Sequence, residues 1–137
     1  MNTKLYKQVL SLTGSLMAAA EQKNQKRFDG FYGELKQLCE ANENTDKDHP
    51  VQWETLADFT EDLALAINIY EHALVKAEAI NSKDFCSSIG FSIGSLNAEL
   101  GNNEAAISAL EKAKVSANKI PDKELKAEIH DLLTTLK

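Results

Sequence analysis

The chain is poor in the residues that reverse, cross-link or ligate. Its 137 residues include six glycines, two prolines, two cysteines and three histidines. An all-β sandwich needs a turn signal about every ten residues, and so few turn-formers exclude one. Cys39 and Cys86 are too few for a disulfide scaffold and form no C-x-x-C pair. Each falls within a helical pattern, so a buried, reduced thiol is expected, which fits a cytoplasmic compartment. His49, His72 and His130 lie far apart with no H-E-x-x-H spacing, which leaves no metal signature. There is no Gly-rich loop after a strand and no nucleophile elbow. Neither an enzyme nor a bound cofactor is expected. No apolar run reaches the length of a membrane span, and no stripe of Arg and Lys offers the phosphate contacts that dominate nucleic-acid affinity.

What the chain has is alanine, leucine, lysine and glutamate, which favour helices. Formal net charge is −6, and it is segregated. Residues 1–27 carry +4, residues 28–72 carry −9 and residues 73–137 carry −1. The acidic middle suits either a solvated surface or a basic partner.

The N-terminal segment admits two readings. Lys4 and Lys7 precede an apolar stretch ending in Ala18-Ala19-Ala20, in the manner of an export signal with its cleavage site. Yet Ser11, Thr13, Gly14 and Ser15 interrupt that stretch. Leu5, Val9, Leu12, Leu16 and Ala20 recur at spacings of three and four, so a structural amphipathic helix is the stronger reading.

A search for self-similarity finds a repeat. Shifted by 40 residues, Ala66–Ile80 aligns with Ala106–Ile120, with identities at Ala66/Ala106, Ile67/Ile107, Glu71/Glu111, Ala73/Ala113, Val75/Val115, Ala77/Ala117 and Ile80/Ile120. About one identity would arise by chance from average residue usage. The register continues through Lys83/Lys123, Ile89/Ile129 and Leu96/Leu136.

Each unit reads as two helices. Phe85, Ile89, Ile93, Leu96 and Leu100 form one helical stripe over 83–100. Gly101-Asn102-Asn103 breaks it, and a partner helix over 104–119 ends at Ile120-Pro121. One unit earlier, His49-Pro50 opens a helix with proline in its first turn, where the missing N–H is tolerated. That helix runs to about Thr60, and its partner spans 63–80. Residues 122–137 match the first helix of an incomplete unit and should cap the stack. Residues 1–40 form a divergent pair: a helix over 4–22, then one carrying Phe28, Phe31, Leu35 and Leu38. Within it, Gly30 and Gly33 are expected to mark close packing or a late helix start. Residues 41–48 make a polar loop between pairs.

In I93-G-S-L-N97, G101, A106-x3-L110-x2-A113 and A66-x3-Y70-x2-A73, the chain resembles the tetratricopeptide repeat (TPR) family. The resemblance is good over 48–120 and weak over 1–40. It implies an all-α fold: a right-handed solenoid of antiparallel helix pairs, here one domain over 1–137. The pairs would be 1–40, 48–81 and 83–120, with a seventh, capping helix over 122–137. The period departs from the family's usual length of about 34, and W53-x2-L56-A57 stands three residues too close to Ala66 for a regular motif start. Gly90 and Gly94 lie within a helix and should mark close helix packing, not a phosphate loop.

In this family the first helices of the pairs line a concave groove. At about 100° per residue, Phe91 projects away from the Phe85–Leu100 stripe, with Ser88 and Ser95. Val51, Thr55 and Phe59 lie off the Trp53–Leu56–Ala57 stripe. The resemblance therefore implies a groove carrying Val51, Phe59 and Phe91 beside Thr55, Ser88 and Ser95, edged by Asp48, Asp58 and Glu99. Such a groove would suit an apolar peptide or helix with basic flanks. The bland alternative packs Phe59 and Phe91 against neighbouring helices. Family members that hold a C-terminal carboxylate use lysine and asparagine where this chain has Val51, Thr55, Phe91 and Ser95, so an acidic-tailed ligand is not implied. The expected function is a protein-binding adaptor, with self-association as a homodimer the alternative.

Overall fold

Apolar residues recurring every three or four positions leave seven segments that can bury one side as helices. Among the described residues seven helices form: α1 (Thr3–Glu21), α2 (Gln25–Asn42), α3 (Pro50–Asp58), α4 (Leu63–Ala79), α5 (Lys83–Glu99), α6 (Asn103–Ala117) and α7 (Lys123–Leu136). The structure is a computed structural model describing residues 2–137; Met1, first residue of the expected 1–40 pair, lies outside the described residues. Among the described residues no strand forms.

The helix starts follow from short polar side chains. Asn2, Asn24, Asp62, Ser82 and Asp122 each accept a hydrogen bond from the backbone N–H three residues on, at 2.9, 3.1, 3.0, 3.3 and 3.0 Å. Each such cap is worth about 1 kcal/mol. At α3 the cap is a histidine. His49 Nδ1 accepts from the Val51 N–H at 3.1 Å, while the buried Gln52 side chain accepts from the His49 N–H at 3.3 Å. Pro50 takes the first helical position, as the sequence implies. The chain leaves α5 through Gly101 at φ +81°, and Lys23 and Asn81 hold the same left-handed position after α1 and α4. Gly101 and Asn81 are residue types that favour this position, whereas Lys23 gives no such signal in the sequence.

Consecutive helices pack pairwise, α1 on α2, α3 on α4 and α5 on α6. A second set of contacts joins α1 to α3, α3 to α5 and α5 to α7. The odd-numbered helices thus form one face of the stack. The 40-residue repeat is visible in the element starts, α4 against α6 and α5 against α7. It fails at the start of α3, where residues 43–49 form a loop and the helix is only nine residues long.

The repeated alanines explain the close pairing. Ala66, Ala106, Ala73, Ala113, Ala77 and Ala117 are all buried. A Cβ added at Gly90 would stand 2.9 Å from the Ala113 Cβ, and one at Gly94 would stand 2.5 Å from the Leu110 Cγ. These two glycines let α5 lie directly on α6, as expected. Gly30 and Gly33 do not play that part. No atom lies within 4 Å of a Cβ at either, and α2 begins at Gln25, so both sit on the open side of a continuous helix.

The stripe of α1 is buried through Leu5, Val9, Leu16 and Ala19, with Ala20 exposed. Two cores result. The larger runs from Val9 and Leu16 through Leu35, Trp53, Leu56 and Tyr70 to Ile89 and Ile93. The smaller joins Leu110, Ala113 and Ala117 of α6 to Ile129 and Leu133 of α7. Leu100, expected in the α5 stripe, is instead 44% exposed at the helix end.

Candidate functional site

The odd-numbered face carries two adjoining clefts of about 440 and 330 Å³, which share Ser88, Leu125 and Glu128. The first is lined also by Glu54 of α3, Asp84 and Phe85 of α5, Ile120, and Asp122 and Glu124 at the start of α7. The second continues past Phe91, Ser92, Ser95 and Leu96 to Tyr70. The lining of the first cleft mixes the apolar Phe85, Ile120 and Leu125 with the carboxylates Glu54, Asp84, Asp122, Glu124 and Glu128.

The local chemistry follows from which helix each group rides on. Glu54 and Asp58 are one turn apart on α3, so both project to the same side. Ser88 donates from α5 to Glu54 Oε2 at 2.7 Å, and Tyr70 reaches from α4 to donate to Asp58 Oδ1 at 2.5 Å. Burial pushes the Glu54 carboxyl above its ordinary pKa, with the Asp58 charge adding to the rise and the Ser88 hydroxyl opposing it. Burial also raises Asp58, against the pull of the Tyr70 hydroxyl. The Asp58 residue as a whole is exposed at the end of α3; its carboxyl is turned inward toward Tyr70. Among the described residues, none of Glu54, Asp58, Asp84, Asp122, Glu124 and Glu128 forms an ion pair.

The groove residues expected from sequence divide into two sets. Ser88, Phe91 and Ser95 come together in this cleft, and Asp58 meets it through Tyr70. Phe91 also packs against the α6–α7 core, so the ring borders the cleft while contacting a neighbouring helix pair. The others go elsewhere. Phe59 turns into the interior, where its ring meets Phe28 edge-on at 6.2 Å. Asp48 is held inside the α2–α3 loop. It accepts from the Trp53 indole at 2.9 Å and the Asn44 N–H at 2.8 Å, and pairs with Lys76 at 2.9 Å. Those donors hold its carboxyl below the usual range against the opposing effect of burial. Thr55 donates to the Val51 carbonyl of its own helix at 2.6 Å. Val51, Thr55 and Glu99 line neither cleft.

The same loop explains much of the local acidity. Glu43 pairs with His72 and, at 3.6 Å, with Lys76, and the His72 ring stands against Trp53 at 4.3 Å. These charges tie α2–α3 to α4 and are unavailable to a ligand. Cys39 lies beneath the loop, its thiol directed to the Gln52 carbonyl at 3.4 Å. Burial and the Asp48 and Glu40 charges push that thiol up to about 12. It is a packed side chain, not a nucleophile. Among the described residues no group of three or more His, Cys, Asp or Glu is placed to hold a metal. Among the described residues no helix is long and apolar enough to cross a membrane.

The residues missed from sequence are Glu54, Asp84, Phe85, Asp122, Glu124, Leu125 and Glu128. A signal for most of them existed. The 40-residue shift pairs Asp84 with Glu124, Phe85 with Leu125 and Ser88 with Glu128. Carried into the capping helix, the repeat would have marked α7 as a wall of the cleft.

No family model matches the chain, and no curated protein does. Among solved structures it is similar to PcrH from Pseudomonas aeruginosa. The TM-score is 0.65 at 18% identity, covering 92% of this chain and 91% of that one. The fold is a TPR-like helical repeat. In a TPR-like stack the first helices of the pairs share one face. Here those are α1, α3, α5 and the unpaired α7, of which α3, α5 and α7 supply most of the cleft lining. At 18% identity the likeness speaks to the fold; any activity has to be argued from the cleft itself.

Proposed function

We propose that this protein is a non-enzymatic protein-binding adaptor that holds an apolar helix or peptide with basic flanks in the cleft between α3, α5 and α7. The observation carrying the reading is the cleft's composition. Phe85, Phe91 and Leu125 offer apolar anchoring surface, and the five carboxylates lining the clefts, Glu54, Asp84, Asp122, Glu124 and Glu128, lack any cationic partner among the described residues. Crowded carboxylates repel one another, and a ligand's Lys or Arg would relieve that repulsion. Anchors packing on that apolar surface supply most of the affinity, and the carboxylates select charge and speed encounter.

The test is calorimetric titration with a synthetic amphipathic Leu/Lys helical peptide, in low and high salt. Micromolar binding that weakens with salt, and is lost in Glu124→Lys/Glu128→Lys, is the expected result. Both substituted positions are exposed, so the fold should survive. Binding unchanged by that double substitution, or no binding at all, refutes the assignment.

A second reading rests on a separate observation. Tyr6, Leu10 and Met17 of α1 are 37%, 51% and 61% exposed and lie within about 40° of one another around the helix. An unpartnered apolar stripe on the terminal helix of a stack is a natural self-association surface.

A further inference from the structure

The two unsatisfied surfaces of this molecule match each other. The cleft takes an apolar helix with basic flanks, and α1 is such a helix. Its exposed stripe of Tyr6, Leu10 and Met17 spans about 16 Å at 1.5 Å per residue. Lys4 and Lys7 lie at one end, and Lys23, Lys26 and Arg27 follow the other. None of these five cations is ion-paired among the described residues, just as none of the five carboxylates lining the clefts is. Within one copy they do not meet: α1 packs by its buried stripe against α2 and α3 and touches neither α5 nor α7, and its exposed stripe lies roughly 115° around the helix from the buried one.

We infer that the occupant of the cleft, in the absence of another ligand, is α1 of a second copy of this chain. The inference rests on the cleft reading above and names its partner. Leu65 and Val75 lie on a helix without this clustered positive charge, and Val115, beside Lys112 and Lys114, is a single exposed large apolar side chain where α1 presents three in a stripe; an apolar stripe together with cations at both ends selects α1. The contact is heterologous: the donor of α1 keeps its own cleft open, and the acceptor keeps its own α1 free. Such contacts propagate head to tail unless the rotation closes a ring. A basic-flanked ligand that fills the cleft therefore dissolves the assembly, which makes self-association a competitor of ligand binding.

Sedimentation of the full chain tests this. The mean mass should rise with concentration in low salt and return to that of the monomer in high salt. Leu10→Glu/Met17→Glu and Glu124→Lys/Glu128→Lys should each abolish the rise. Mixed together, the two variants should form a dimer that grows no further, because only one intact α1 and one intact cleft remain. Lys4→Glu/Lys7→Glu alters exposed charges alone and should repeat the α1 result should Leu10→Glu/Met17→Glu lose helicity. Two outcomes overturn the inference. One is association abolished by the α1 variants but not by the cleft variant, which indicates a symmetric α1–α1 contact. The other is a monomer at every concentration. In either case the Leu/Lys peptide titration still decides the cleft reading independently: peptide binding lost in Glu124→Lys/Glu128→Lys leaves it standing, and absence of binding removes both.

Discussion

Asp48 and Glu54 are carboxylates six positions apart that respond to their surroundings with opposite signs. Asp48 is held by Lys76, the Asn44 N–H and the Trp53 indole, with its side chain only 7% exposed. Its pKa is lowered, so it contributes stability above the unfolded carboxylate range and loses it as pH falls through the folded value. Glu54 is raised chiefly by burial, so its ionisation opposes folding as pH rises through that value. Asp48→Asn should therefore destabilise by about 2 kcal/mol at neutral pH, with the difference shrinking toward acid. Glu54→Gln should leave the protein as stable or more stable at neutral pH, with the gain disappearing toward acid. Thermal unfolding at pH 7 and at about pH 2.5, below the ordinary carboxylate range, checks both signs. Phe91 is the other informative residue. It lines the cleft and touches the α6–α7 core, so Phe91→Ala should cost about 2 kcal/mol, below the usual range for a fully buried phenylalanine. It should also weaken peptide binding while helical circular dichroism is retained.

Glycines within helices separate at the scale of the element. At Gly94 a Cβ would meet the Leu110 side chain at 2.5 Å. Gly94→Ala should therefore destabilise by about 1–3 kcal/mol despite alanine's better helix propensity. Gly30 and Gly33 face open space in α2, so alanine at either should stabilise by up to about 1 kcal/mol. Denaturant midpoints at constant m-value read both effects. The helices themselves were legible in the sequence because their stripes, caps and breakers are local. The loop before α3 was less so. Pro50 marks the helix start locally, but the ties from Glu43 and Asp48 to His72 and Lys76 on α4 are reported by no local pattern.

Over the whole molecule, α7 is both a cap and a wall. It covers Leu110, Ala113 and Ala117 with Ile129 and Leu133, and it supplies Leu125 and Glu128 to the cleft. Ending the chain after Pro121 should expose that core and lower stability by on the order of 5 kcal/mol, from the apolar area returned to water. The truncated chain should also lose peptide binding. Both are read by thermal melting and titration against the full chain. The sequence by itself determined the helix number, the repeat and the acidic character, since propensity, periodicity and charge belong to each residue wherever it lies. Only the tertiary structure decided which acids face a ligand. Asp48 is consumed by Lys76 and Trp53, whereas Glu54, Asp84 and Glu128 are left without a cation. Phe59 likewise turns to Phe28 while Phe91 remains at the cleft. The physical reason is that pairing and exposure depend on groups brought together from distant helices, and that proximity exists only once the stack has formed.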